Sequence, residues 1–151
     1  MQHLSFSISI TILSWMIGLI VNEIIKNKSF YSKISNFNFI ENKATNKLIG
    51  VGLVKWVIKN TFFKYFNQKI KLKGKIQINQ LLLVRKEMTI AEIGHLVGFA
   101  CVAIFALVML VKGKYLLALI MMLVNVVMNL HPSLLQQENK RRIDRLIKIY
   151  D

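Results

Sequence analysis

The chain has 151 residues, is 54% hydrophobic and carries a formal charge of +14. A soluble domain gathers its apolar residues into one core and mixes charges of both signs on its surface. Here the two characters segregate along the chain, as they do in membrane proteins. The single cysteine, Cys101, lies in an apolar run and excludes a disulfide framework. Metal-ligand spacing, a P-loop and a dinucleotide fingerprint are all absent, so neither a metal nor a resident cofactor is expected. The basic residues flank apolar runs, which makes nucleic acid a poor partner for the charge.

The first apolar run, Leu4 to Ile25, is long enough to cross a hydrocarbon core, which needs about 20 residues. Serines, Asn22 and Glu23 interrupt it. It is too long for a signal-peptide core and lacks a basic start and a small-x-small cleavage site. It is therefore expected to be retained as a span.

The segment 26–92 that follows holds 14 of the 21 Lys and Arg residues. It is more than a connector, because "KLIGVGLVKWVIKNTFFKYF" (Lys47 to Phe66) is mostly apolar. Lys55 and Lys59 lie four apart, on one helical face with Lys47. A full crossing would place both lysines near its centre, at about 2.5–3.5 kcal/mol each. A basic amphipathic helix lying in the membrane interface fits the pattern at lower cost. A re-entrant segment and a true span stay open as alternatives. Residues 67–75 read as a basic loop, and 76–92 as a helix approaching the next span.

The second expected span, Ile93 to Val111, is the cleanest. Lys112, Gly113 and Lys114 leave only a tight turn before the third, Tyr115 to His131, whose 17 residues give about 26 Å of helix. The last two spans therefore form an antiparallel hairpin. The tail, 132–151, adds five cationic residues, so three spans gather 19 of 21 on one side. The positive-inside rule makes that side the cytoplasm, with the N-terminus outside and the C-terminus cytoplasmic. The expected fold is thus a single all-α integral membrane domain with about three transmembrane helices and an interfacial helix, in a bacterial cytoplasmic membrane.

Polar residues inside a membrane cost free energy and mark helix packing or a site. Glu92 and His95, at i and i+3, share a helical face at the start of the second span. Gly94 and Gly98 form a small-xxx-small pair, for which the third span is the expected neighbour. On that span Asn125 and Asn129 lie one turn apart, with His131 and Pro132 just beyond. Proline inside a helix breaks it, so a kink, or a restart with His131 near the cap position, is expected. Gln136 and Asn139 stay on the Asn129 side if the helix persists. The hairpin brings Glu92 and His95 to the depth of Asn129 and His131, with Lys140, Arg141 and Arg142 just outside. Each residue also has a plainer reading. The histidines suit an interface, Asn125 suits a cross-helix hydrogen bond, and the "KRR" cluster suits a topology signal that binds anionic headgroups.

From about Asn42 to Leu146 these residues resemble the glycosyl-diaponeurosporenoate acyltransferase family, small membrane proteins that complete staphyloxanthin-type carotenoids. That family carries Glu-Leu-x-His-Trp at the opening of a span. It later carries Asn-Leu-Pro, four apolar residues, and Gln-Arg-Tyr-Asn-Arg-x-Arg-Leu. "EIGHL" matches the first pattern at Glu92, Ile93 and His95, with Leu96 in place of tryptophan. "NLHPSLLQQENKRRI" matches the second without a gap at Asn129, Leu130, Gln136, Asn139 and Arg142, with Lys140 and Ile143 conservative. His131, Gln137 and Glu138 replace proline, arginine and tyrosine.

The resemblance implies a polytopic protein that moves a fatty acyl group to a hydroxyl of a glycosylated isoprenoid or related lipid. In such a reaction His95 is the candidate base, because its unperturbed pKa lies near neutrality. Glu92 is placed to orient it, and Asn129 and Asn139 to donate to an oxyanion or to sugar hydroxyls. His131 and Gln136 complete the candidate substrate site. Lys140, Arg142 and the basic loop are placed to hold phosphates of an acyl-CoA donor. Expected partners are membrane lipids and an apolar lipid or glycolipid substrate, with a membrane protein or a second copy of the chain besides. The competing reading is a non-enzymatic membrane subunit or assembly factor of a larger envelope complex, in which the same polar groups are helix glue.

Overall fold

The computed structural model describes residues 1–36, 52, 56, 60 and 77–150. Among them all regular structure is helical: α1 (Gln2–Ile25), the short α2 (Tyr31–Ser35), α3 (Ile78–Val111), α4 (Tyr115–Asn125), a π-helical turn (Val126–Leu130) and α5 (His131–Tyr150). Three continuous helices, Gln2–Ile25, Ile78–Val111 and Tyr115–Tyr150, are long and apolar enough to cross a membrane. The all-α membrane architecture expected from the sequence is the one observed. Of the expected interfacial helix at 47–66, Gly52, Trp56 and Asn60 are helical and exposed, and the remainder lies outside the described residues.

The approach helix and the second span are one rod, α3, because no Pro or Gly pair interrupts residues 78–92. α3 packs against each of the other described elements, and α1 also packs against α4. The hairpin turn is built as the sequence requires. Gly113 takes φ +71°, its N–H donates to Leu110 C=O and the Lys114 N–H donates to Met109 C=O. This pattern ends α3 by satisfying two of its last carbonyls. Near the turn, Val102, Ala106, Leu117 and Met121 form an apolar cluster.

Large apolar side chains such as Leu19, Ile104, Leu107, Leu116 and Leu123 are exposed, whereas α1 buries Ser7, Thr11, Ser14, Gly18 and Asn22. That inversion suits an apolar solvent. Lipid covers the large side chains, while small residues let backbones approach. The hydroxyls cost little there, since Ser7, Thr11 and Ser14 donate back to carbonyls of their own helix at 2.7, 2.8 and 2.6 Å.

The small-residue pair of α3 meets a different neighbour from the one expected. Gly94 faces Gly18 of α1, and a Cβ added to Gly18 would lie 2.2 Å from the Gly94 carbonyl oxygen. Gly98 faces both Ser14 of α1 and Asn129. The first helix, not only the hairpin partner, claims this surface.

Pro132 acts through the π turn. It has no N–H to donate, and its ring would press on the carbonyl one turn back. The preceding turn widens instead, with the His131 N–H donating to Val126 C=O, and α5 begins at His131. The proline is thus absorbed by a π bulge, and the helix runs on through His131, which has helical φ −62° and ψ −45°, where a kink or a restart with His131 near the cap was expected.

The Gly18–Gly94 crossing is asymmetric, because a Cβ on Gly94 would come no closer than 3.9 Å to Gly18. Gly18→Ala should therefore destabilise the helix packing by about 1–3 kcal/mol, while Gly94→Ala should be tolerated. Unfolding curves of the two variants in detergent test this order; equal losses would refute it.

Candidate acyl-transfer site

Two polar clusters occupy the α3 face toward α4 and α5. In the first, His95 Nδ1 lies 3.3 Å from Asn129 Oδ1, which also accepts a 2.9 Å hydrogen bond from Trp15 Nε1 of α1. The Trp15 and His95 rings meet edge to face, with centroids 5.8 Å apart and planes at 87°. Asn129 Nδ2 donates to Asn125 Oδ1 at 2.8 Å and, more weakly, to Ser14 Oγ at 3.4 Å. Asn125 Nδ2 donates in turn to the Phe99 carbonyl at 3.0 Å. Both asparagines are wholly buried, whereas His95 is half-buried. The amide-to-histidine contact expected across the hairpin is present.

The second cluster lies two helical turns further along α5. Glu92 is wholly buried and forms an ion pair with Lys140, whose own exposure is 3%. Gln137 Nε2 donates to Glu92 Oε1 at 2.9 Å, and Lys140 Nζ donates to the Ser35 carbonyl at 2.6 Å. Beside it, Arg85 bonds Asp144 Oδ1 at 2.5 Å and Asn36 Oδ1 at 2.6 Å. These contacts fasten the end of α2 to α3 and α5. Tyr31 adds a 3.0 Å hydrogen bond to Asn22 Oδ1, and burial raises its phenol above the ordinary pKa, keeping it a donor.

This geometry revises three assignments. Glu92 turns to Lys140 and Gln137, and His95 takes Asn129 as its hydrogen-bond partner, so Glu92 does not orient the imidazole. Lys140 does not stand outside the membrane segment to receive phosphates; its ammonium is buried against Glu92. The Asn129 amide has acceptors for its N–H groups and two donors on its oxygen, which leaves no donor for an oxyanion. Arg142 remains exposed and pairs with Glu138 at 2.7 Å, while His131, Gln136 and Asn139 are half-buried on α5.

Trp15 and Ser14 were not singled out by the sequence, and Gln137 only as a departure from the family pattern. The Ser7, Thr11, Ser14, Gly18, Asn22 spacing could have marked the inward face of α1, though not which helix it meets. Gln137 stands where the family pattern has arginine, and its amide supplies Glu92 with a neutral donor. Leu96 stands where that pattern has tryptophan, and here an indole reaches His95 from α1. Ser133 Oγ, on the same face of α5 between Asn129 and Gln137, is buried with no hydrogen-bond partner among the described residues.

A buried pair costs much when one partner is removed, because the remaining charge is uncompensated. Lys140→Met alone should therefore destabilise by about 3–5 kcal/mol. Adding Glu92→Gln should restore most of the loss. Detergent unfolding of the single and double variants tests this; an additive double loss would contradict it.

No curated protein and no solved structure matches the chain. The family model described as glycosyl-4,4'-diaponeurosporenoate acyltransferase matches residues 27–149. The match contains both motifs, which meet in space through the His95–Asn129 and Glu92–Gln137 contacts. The chain belongs to the glycosyl-4,4'-diaponeurosporenoate acyltransferase family.

Proposed function

We propose that the chain transfers a fatty acyl group to a hydroxyl of a glycosylated isoprenoid or related glycolipid at the cytoplasmic membrane face. The observation that carries this reading is the convergence of the two motifs on one histidine, whose Nδ1 is held by Asn129 while Nε2 makes no hydrogen bond among the described residues. The charge distribution supports the cytoplasmic side, since 19 of 21 cationic residues belong to the segments 26–92 and 132–151.

In this reading His95 Nε2 accepts the proton of the acceptor hydroxyl as its oxygen attacks the acyl carbonyl. With an acyl-CoA donor, the new ester C–O bond forms, the thioester C–S bond breaks, and the proton passes to the departing thiolate. Ser133 supplies an unused hydroxyl for the oxyanion, a role that Asn129 is too fully bonded to play. His131, Gln136, Asn139 and Arg142 line the approach on α5 and serve the acceptor sugar and the donor.

His95→Gln should abolish transfer while the protein still folds. Ser133→Ala should lower kcat by about 10²–10³, the usual effect of removing one oxyanion donor. The test is lipid and pigment analysis of a deletion strain, complemented with wild type or with each variant. An unchanged ester profile on deletion would sink the acyltransferase reading and favour an assembly role.

A further inference from the structure

We infer that α1, which lies outside the family match, is a working part of the site. Trp15 and Asn125 are positioning residues that fix His95 in the tautomer with its proton on Nδ1 and its lone pair on Nε2. This rests on the proposed role of His95 as the base.

The polarity of the hydrogen-bond chain follows from what each of its ends can do. At one end the Phe99 carbonyl only accepts, so the group that Asn125 presents to it at 3.0 Å is Nδ2. The Asn125 oxygen therefore faces Asn129, and the group meeting it at 2.8 Å is Asn129 Nδ2. At the other end the Trp15 indole N–H only donates, so the Asn129 atom 2.9 Å away is Oδ1. Both ends independently demand the same polarity. Turning either amide over would set N–H against N–H or oxygen against oxygen in a buried site.

His95 Nδ1 shares that same oxygen, at 3.3 Å, and must therefore donate to it. Free neutral histidine prefers its proton on Nε2, so the chain selects the less common form. The selected form is the one that leaves Nε2 as a base. The edge-to-face indole holds the ring plane, and the tight approach of Ser14 and Asn129 to Gly98 keeps α1 within reach.

The test uses the full chain, labelled with ¹⁵N-histidine and held in lipid nanodiscs above the histidine pKa. There are three histidines, and His95→Gln assigns the signals. The ¹⁵N shifts should show a ratio of Nδ1–H to Nε2–H above one at His95, against the preference of the free ring. Trp15→Phe keeps a ring and removes one donor, and should leave Nδ1–H the main form because Asn125 still sets the Asn129 amide. Trp15→Phe with Asn125→Leu should make Nε2–H the main form. In an acyl-transfer assay, Trp15→Phe with Asn125→Leu should lower kcat and leave KM in place. A wild-type protein protonated mainly on Nε2 would overturn the inference, as would a ratio unmoved by the double change. The stated ratios in a protein without acyl transfer would uphold the positioning and defeat the proposed function instead.

Discussion

An amide buried in an apolar medium must have every donor and acceptor answered within the protein, and Asn129 is where this chain meets that demand. Its side chain joins α1 through Trp15 and Ser14, α3 through His95, and α4 through Asn125. Each unanswered contact there would cost free energy comparable to a desolvated polar group. The three spans are therefore held in one mutual arrangement by polarity as much as by packing. The half-buried imidazole takes its orientation from that same amide.

Close approach of the helices is the condition for this network. Gly18 lies over the Gly94 carbonyl, and Gly98 leaves space for Ser14 and Asn129. A larger side chain at either crossing would hold α1 away from the indole–amide contact. The widened turn at Val126–Leu130 contains Asn129 itself, so the proline that forces the turn lies three residues from the residue that organises the site. π turns often occur at functional positions because they interrupt the regular spacing of a helix without ending it.

Glu92 and Lys140 serve a different purpose. Their charges neutralise one another out of solvent, with Gln137 and the Ser35 carbonyl completing the set. Such a pair adds little net stability relative to an apolar replacement, but it strongly penalises alternatives that separate its members. It fixes the register of α5 on α3 and ties the short α2 to both. The first motif thus sends His95 to one cluster and Glu92 to the other.

Legible in the sequence were the three spans, the tight Gly113 turn, a disturbance of the helix at Pro132 and the common depth of His95 and Asn129. These follow from hydropathy, from backbone rules for Gly and Pro, and from counting along an antiparallel hairpin, all local or nearly local properties. It also made the family legible through two short motifs. Which partner each polar group takes was decided only by the tertiary structure. Glu92 chose Lys140 over His95 because α5 continues past Pro132 and delivers an ammonium to that face. Trp15 entered the site because Gly18 lets α1 lie against α3, a contact between residues 76 positions apart that no periodicity encodes. Span lengths are set by the membrane and the chain, whereas polar pairing in a dry interior is set by which helices touch.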